Sequence, residues 1–183
     1  MKPPRKRSDA RRNEEALLAA AAAAFVQSGV DVPVRDIAAA AGVGVGTIYR
    51  HFPTRADLIV AVYRHQVQAC ADAGPMLLAT NDSAYDALAK WIDLFVDFLV
   101  TKHGLAHAWQ SDSAGYESLH AHFLDRLVPV CDQLLVAAAD EMISDVDALW
   151  LMRGVGNLCI GAGGDQGYDA RRMVRVLVAG LRA

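Results

Sequence analysis

The amino-acid sequence predicts an all-α fold in which a small three-helix domain precedes a larger helical domain. Apolar residues recur at spacings of three and four along nearly the whole chain, which is the helical period, and no convincing strand pattern is found. Hydrophobic residues occupy 54% of the 183 positions, so the chain can bury a sizeable core. Glycine and proline divide the pattern into about nine helices, with the short ones grouped in the first third.

The first third is predicted to hold a tail and a helix-turn-helix domain over residues 9–54. Its first helix ends at Gly29, because glycine readily adopts the backbone conformation that terminates helices. Pro33 and Gly42 bound the next helix, and Pro53 follows the third. The predicted elements are a disordered basic tail over residues 1–8 and helices over residues 9–28, 34–41 and 45–52.

The second domain is predicted over residues 55–183, and a helix over residues 55–73 links it to the first. Thr54 is expected to cap this linking helix, with Asp57 three residues on as in a capping box. Gly74-Pro75 are expected to end it. The other predicted helices cover residues 83–102 (capped by Ser83), 105–110, 116–140 with a bend at Pro129, 145–161 and 169–182.

The composition is typical of a cytoplasmic protein. No uncharged apolar run is long enough for a membrane span, and the basic N-terminus is not followed by a secretory signal pattern. The cysteines, Cys70, Cys131 and Cys159, are odd in number and lie in apolar helical patterns. Such spacing favours core packing in a reducing compartment over a disulfide framework.

The charge is distributed unevenly along the chain. The net charge is −3, but residues 1–64 hold ten Lys/Arg against six Asp/Glu, whereas residues 65–183 hold eight against fifteen. A basic first third on an acidic remainder indicates that the first segment faces a polyanion.

The stretch GVGVGTIYRHF, residues 42–52, allows two interpretations. A nucleotide-binding glycine loop needs a preceding strand and a spacing of G-x-G-x-x-G or that of a P-loop. Here a predicted helix precedes glycines spaced G-x-G-x-G. The pattern therefore favours the turn and second helix of a helix-turn-helix motif.

The second helix of this motif carries side chains suited to DNA. It begins near Val45 without a bulky charged group, so its backbone amides can approach a phosphate. Ile48 and Phe52, four residues apart, are expected to face the small domain. Donors for phosphates and base edges are Thr47, Tyr49, Arg50 and His51.

Residues 11–64 resemble the N-terminal domain of TetR/AcrR-family transcriptional regulators. The matching positions are Leu17-Leu18, Ala20-Ala21, Phe25, Gly29, residues 34–38, residues 41–43 and 46–52, Arg55 and Leu58. The resemblance implies a DNA-binding domain on a helical ligand-binding and dimerisation domain, in a homodimer that binds a palindromic operator as a repressor. The DNA contacts it implies are Arg35, Val45, Gly46, Thr47, Tyr49, Arg50, His51 and, at a phosphate, Arg55.

This sequence departs from the family pattern at two positions. Val34 stands where the family usually has Thr or Ser, and Gly44 stands where it usually has Ser. Val34 cannot cap its helix through a side-chain oxygen. Val45 and Gly46 offer little side-chain polarity, so direct base readout is expected to depend chiefly on Arg35, Thr47, Tyr49 and Arg50.

The middle helices concentrate aromatic residues that can line an apolar pocket between helices. The predicted ligand-binding residues are Gln66, Trp91, Phe95, Phe98, Trp109, Tyr116 and Phe123. We expect a small apolar or aromatic effector, coupled to DNA through the linking helix. His103 and His107 lack further ligands at metal-binding spacing, so no metal and no cofactor are expected.

The last two helices are more apolar than peripheral helices need to be, which indicates a two-fold four-helix contact between subunits. The predicted interface residues are Leu149, Trp150, Arg153, Met173, Leu177, Val178 and Leu181. Two alternatives remain: an all-helical enzyme, although no nucleophile–base pair stands out, and a ligand-independent DNA-binding protein.

Overall fold

The structure, a computed structural model, describes residues 5–108, 113–143, 145–160 and 167–183, with side chains over residues 13–99, 117–143, 145–160 and 167–183. The described backbone is helical and contains no strand, which confirms the predicted all-α fold. Its helices are α1 (Arg5–Ser28), α2 (Val34–Ala41), α3 (Val45–His51), α4 (Arg55–Thr80), α5 (Ala84–Ala108), α6 (Ser113–Ala137), α7 (Ala148–Ile160) and α8 (Ala170–Ala179), with a 3-10 turn at Ala139–Glu141.

Helix α1 begins earlier than the sequence pattern predicts. Residues 5–8, predicted as part of a disordered tail, are helical, and residues 1–4 lie outside the described range. Arginine and lysine are good helix formers, and Pro4 immediately before the helix is compatible with its start.

The first domain is a three-helix unit closed by the start of α4. Phe25 of α1, Ile37 of α2, Ile48 of α3 and Leu58 of α4 are all buried and belong to one core. Each such side chain contributes roughly 1.5–3 kcal/mol when it leaves water. Gly42 joins α2 to α3 with a φ of 66°, a left-handed conformation that favours glycine.

Helix α4 runs from the first domain into the second. The predicted capping box is confirmed: Asp57 donates its backbone N–H to Thr54 Oγ1 at 3.1 Å, and Thr54 donates its own to Asp57 Oδ2 at 2.9 Å. The predicted end at Gly74-Pro75 is wrong, since α4 continues to Thr80. Gly74 is a packing site, because a Cβ there would overlap the Cγ1 methyl of Val130 on α6.

Helix α5 lies at the centre of the second domain. Trp91, Ile92 and Phe95 are almost fully buried, and α5 packs against α4, α6, α7 and α8. The predicted break at Gly104 is absent, because α5 extends to Ala108; a single glycine costs a helix only about 1 kcal/mol. The predicted separate helix over residues 105–110 is therefore the end of α5 as far as Ala108.

Helix α6 keeps Pro129 inside its span, as predicted, but ends at Ala137 and is followed by the 3-10 turn. The carboxylate of Glu141 in that turn accepts hydrogen bonds from Ser83 Oγ at 2.5 Å, from the N–H of Ala84 at 2.8 Å and from that of Tyr85 at 3.2 Å. Ser83 also accepts the N–H of Asp86 at 3.0 Å, which confirms it as the cap of α5. The turn thus fastens the start of α5.

Helix α8 runs antiparallel to α5 and, in the described part of the chain, three ion pairs join α5 to α8 and to the segment that follows it. Arg171 pairs with Asp97, Arg175 with Asp93 at 3.6 Å, and Arg182, beyond the helix, with Asp86 at 3.6 Å. The backbone N–H of Ala183 reaches the carbonyl of Glu141 at 2.9 Å. Both ends of α8 are therefore held to the second domain. Among the described residues, no helix is both long and apolar enough to cross a membrane.

Candidate functional site

Helix α3 presents one face to the core and the others to solvent. Ile48 is 1% exposed, and Phe52, which directly follows the helix, is 7% exposed. Tyr49 is 48% exposed and Val45 is 39% exposed. Of the other residues predicted to contact DNA, Thr47 is half-buried, and Gly46, Arg50 and His51 are exposed. The structure thus brings six of the predicted residues together on one short, outward-facing helix.

The start of α3 is open to an approaching group. Gly44 occupies the N-cap position without a side-chain cap, so the first amides of α3 have no side-chain acceptor. A Cβ at Gly46 would meet nothing within 4 Å, and one at Gly44 would meet only Thr47 Oγ1 at 3.9 Å. Such an end can accommodate a phosphate oxygen.

Arg35 lies at the start of the neighbouring helix. Its guanidinium contacts Asp36 at 3.4 Å, and its side chain is 79% exposed. Pro33 occupies the N-cap of α2 and provides no side-chain hydrogen bond, in line with the weak cap predicted from Val34. Within α3, Arg50 Nη2 lies 3.5 Å from Thr47 Oγ1, which aligns these two polar side chains along one face.

Arg55 has a structural role that the sequence pattern did not reveal. Its half-buried guanidinium donates hydrogen bonds to the carbonyls of Val30 and Val32, the latter at 2.7 Å. These carbonyls belong to the connection between α1 and α2. The predicted phosphate-binding side chain therefore fastens the start of α4 to the first domain, and no local signal links residue 55 to a carbonyl 23 residues earlier.

The predicted aromatic pocket residues pack closely around α5. Phe95 lies over Phe123 at 5.9 Å and beside Trp91 at 5.6 Å, with near-parallel rings in both pairs. Trp91 Nε1 donates to the carbonyl of Cys70 at 2.8 Å, and Phe98 meets Tyr63 edge-on at 5.1 Å. These rings connect α4, α5 and α6 into one core. Trp109 lies outside the described residues, as does the side chain of Tyr116.

A cleft opens between α4 and α5 beside this aromatic cluster. Its volume is about 180 Å³. The lining residues are Gln66, Ala69, Cys70, Leu94, Asp97 and Phe98. Two of them, Gln66 and Phe98, were among the predicted ligand-binding residues. Asp97 was missed, because only the packing of α5 against α4 shows that its carboxylate faces this space.

The three cysteines are buried inside the second domain. Burial raises the pKa of the Cys70 thiol to about 12, with a smaller contribution from the Asp97 carboxylate. Burial likewise raises the pKa of Cys131 to about 12. These thiols stay protonated at neutral pH and serve as packing groups. Within the described residues, no cluster of His, Cys, Asp and Glu could hold a metal ion. The side chains of His103 and His107 lie outside that range.

Helices α7 and α8 carry an exposed apolar surface. Its members are Trp150 at 73% exposure, Ile160 at 64%, Val176 at 59% and Met173 at 41%. Leu149, Leu177 and Leu181 are half-buried, and Arg153 is exposed. Val178 is wrongly placed in the predicted interface set, because it is 5% exposed and packs inside the subunit beside Tyr85. Val176, two residues earlier, faces outward instead.

Comparison with known proteins identifies relatives of both domains. Residues 17–62 match the family model described as bacterial regulatory proteins, tetR family. An HTH-type transcriptional regulator of Staphylococcus aureus (strain bovine RF122 / ET3-1) is 25% identical over 128 residues, which are 65% of this chain and 69% of that protein.

Solved structures share the whole architecture. The TetR transcriptional regulator SCO0520 from Streptomyces coelicolor is 32% identical, with a TM-score of 0.77 over 92% of this chain and 98% of its own. A TetR transcription regulatory protein from Mycobacterium vanbaalenii is 31% identical, with a TM-score of 0.70 over 97% and 99%. A transcriptional regulator from Saccharomonospora viridis, solved in complex with choline, is similar in fold at 21% identity and a TM-score of 0.62 over 94% and 96%.

Proposed function

The chain belongs to the TetR family of DNA-binding transcriptional regulators, and on that premise we propose that it is a ligand-responsive repressor that binds a palindromic operator as a homodimer. The observation that carries this proposal is the outward face of α3, where Tyr49, Arg50 and Thr47 project from a helix anchored by Ile48. A short helix of this kind fits the major groove of B-form DNA.

The proposed contacts divide into two kinds. Tyr49 and Thr47, on the face of α3, read base edges and adjoining phosphates, together with Arg50. Arg35 at the start of α2, whose guanidinium is largely exposed, joins them in reading base edges. The open N-terminus of α3 at Gly44 receives a phosphate.

Dimerisation is proposed through the exposed apolar surface of α7 and α8. Four large apolar side chains on two adjacent helices form a surface that a monomer would leave in water. Self-association of this surface about a two-fold axis produces a four-helix contact. Binding of a palindromic operator by this dimer requires its two α3 helices to meet successive major grooves, roughly 34–36 Å apart.

The effector is proposed to bind the second domain and to act through α4. This helix carries Leu58 in the core of the first domain and borders the cleft at Gln66 and Cys70. A ligand that prefers one orientation of α4 therefore shifts the position of α3. A coupling of about 1–3 kcal/mol is sufficient for a clear response.

Selection of genomic DNA fragments by the purified protein tests this function. We expect enrichment of a palindromic site, bound by a dimer and with affinity that falls steeply as salt increases. Enrichment of no sequence above bulk DNA would contradict the operator proposal. Binding that no member of a small-molecule library alters would instead support the ligand-independent alternative.

A further inference from the structure

The cleft between α4 and α5 is small and opens to solvent. Its volume of about 180 Å³ corresponds to about six water molecules at about 30 Å³ each. A single-ring organic molecule is comparable in size to this space. Leu94, which is 42% exposed, marks the side on which the cleft meets water.

The lining of this cleft includes an acidic side chain. Among the lining residues that the structure describes, Asp97 is the one acidic side chain; the thiol of Cys70 keeps its proton, and Gln66, Ala69, Leu94 and Phe98 are uncharged. The carboxylate is 44% exposed, so a ligand can reach it without unfolding the site. Asp97 pairs with Arg171, so the site already holds a cationic group, and a carboxylate on an otherwise uncharged wall favours a cation over an anion as its partner.

The remaining wall suits an apolar or aromatic body attached to that cation. Leu94 and Ala69 provide exposed aliphatic surface, and Phe98, which is 2% exposed, borders the cleft from the core side. Flat rings and cations are both favoured beside an aromatic side chain. The amide of Gln66 supplies hydrogen-bonding capacity on the α4 side.

A cation bound in the cleft would compete with an arginine of the same chain for the Asp97 carboxylate. Arg171, at the start of α8, pairs with the same Asp97 carboxylate, and its side chain is 39% exposed. Ion pairs at this exposure contribute little to stability, so exchange of one cation for another has a low cost. The Arg175–Asp93 pair lies one turn earlier on α5, and Asp93 is not part of the cleft lining.

We propose that this cleft binds a small organic cation, whose charged group takes the place of Arg171 at Asp97 while its apolar body packs against Phe98 and Leu94. The proposal deepens the proposed function in one respect: it takes this cleft as the effector site and names the chemical class of the effector. Displacement of Arg171 releases an ion pair that fastens α8, a helix of the proposed dimer surface, to α5. The cleft is thereby connected to that surface as well as to α4.

Calorimetric titration with benzamidine and benzamide tests the proposal, because the two molecules have nearly the same shape and differ in charge. We expect benzamidine to bind the intact protein at least about tenfold more tightly than benzamide. Asp97→Asn should abolish that preference. Asp93→Asn, which removes an equivalent ion pair outside the cleft, should retain it.

Arg171→Gln provides the sharper measurement. Because it removes the competing cation and leaves the cleft lining intact, it should tighten benzamidine binding by roughly threefold to tenfold. Arg175→Gln should leave the affinity unchanged. A purely structural role for Arg171 predicts weaker binding instead, and this readout does not require the Asp97 variant to fold.

Three results would overturn the inference: benzamide binds as tightly as benzamidine, Arg171→Gln does not tighten the binding of benzamidine, or benzamidine gives no saturable heat with the parental protein or with the Arg171→Gln variant. Operator affinity, measured on the same preparations without benzamidine, tests the proposed function separately. If the protein binds operator but does not prefer benzamidine over benzamide, only the proposal of a cationic effector is refuted. If it prefers benzamidine but does not bind operator, only the proposed repressor function is refuted.

Discussion

The guanidinium of Arg55 donates a hydrogen bond to the carbonyl of Val32 across 2.7 Å, so the first residue of α4 holds the connection between α1 and α2. A second bond from the same group reaches the carbonyl of Val30. Through these two hydrogen bonds, the charged side chain of Arg55 helps to hold the DNA-binding domain together.

Arg55→Ala should destabilise the protein. It leaves two loop carbonyls without their partner, and we expect the free energy of unfolding to fall by about 1–3 kcal/mol. Urea denaturation followed by circular dichroism measures this, with Arg64→Ala, an exposed position on α4, as the control. An unchanged denaturation midpoint together with weaker binding to all DNA sequences would assign Arg55 to phosphate contact alone.

Tyr49→Ala and Thr47→Ala should each weaken operator binding by roughly 1–3 kcal/mol without affecting stability. Tyr49 is about half exposed, so its removal leaves no cavity in the core. Fluorescence anisotropy with labelled operator measures the loss. Operator binding at the parental affinity by a dimeric Tyr49→Ala variant would show that α3 is not the reading helix.

Arg50→Ala should lower the salt dependence of operator binding. Each phosphate that the variant no longer neutralises should reduce the slope of log affinity against log salt by about 0.9. The matched control is Arg126→Ala, which removes an exposed arginine from α6 in the second domain. Equal slopes for the two variants would contradict phosphate binding by Arg50.

Trp150→Glu should convert the proposed dimer into monomers. Trp150 is 73% exposed in the subunit, so the monomer folds normally, but a charge there would be buried unpaired at the proposed interface at a cost of about 3–5 kcal/mol. Val136→Glu alters an equally exposed apolar residue, at 71%, near the end of α6. Sedimentation velocity should show monomers for Trp150→Glu and dimers for Val136→Glu. Leu177 is a poorer test, because it packs against Gly154 within the subunit.

Glu141→Gln should reduce stability at neutral pH and have little effect in acid. The Ser83 hydrogen bond, followed by the Tyr85 and Ala84 amides, lowers the pKa of Glu141 from its ordinary value of 4.5. Because the folded-state pKa is depressed, the carboxylate stabilises the fold above the unfolded pKa, and this contribution is lost as pH falls through the folded pKa. The difference in melting temperature between the two proteins should therefore narrow below about pH 4.5. A constant difference across this range would contradict the role assigned to the ionised form.

Local chemistry was sufficient to predict several elements. The Thr54–Asp57 box and the turn at Gly42 depend on residues a few positions apart, and both were predicted correctly. The outward face of α3 followed from the spacing of Ile48 and Phe52, both of which are buried.

Features that depend on distant residues could not be predicted in this way. Gly74 resembles a helix end in sequence, but the structure uses it to let Val130 of α6 approach α4. The bonds of Arg55 and the position of Asp97 in the cleft likewise join segments whose proximity exists only after packing. For the same reason, Val178 was assigned to the surface although its neighbours in space bury it.

The unbroken course of α4 between its cap and the cleft has a geometric consequence. From Arg55 to Cys70 the helix rises about 23 Å at 1.5 Å per residue, so a lateral displacement of about 2 Å at the cleft end corresponds to a tilt of about 5°. The Thr54–Asp57 box and the Arg55 hydrogen bonds attach the first domain to α4. The first domain therefore turns with α4 as one body, through the same angle. In a two-fold dimer the two DNA-binding domains turn in opposite senses. The change in the separation of the two α3 helices, relative to the fixed helical repeat of the DNA, is therefore twice that caused by one domain. In the proposed ligand-responsive dimer, α4 would thus act as an angular lever in each of the two subunits.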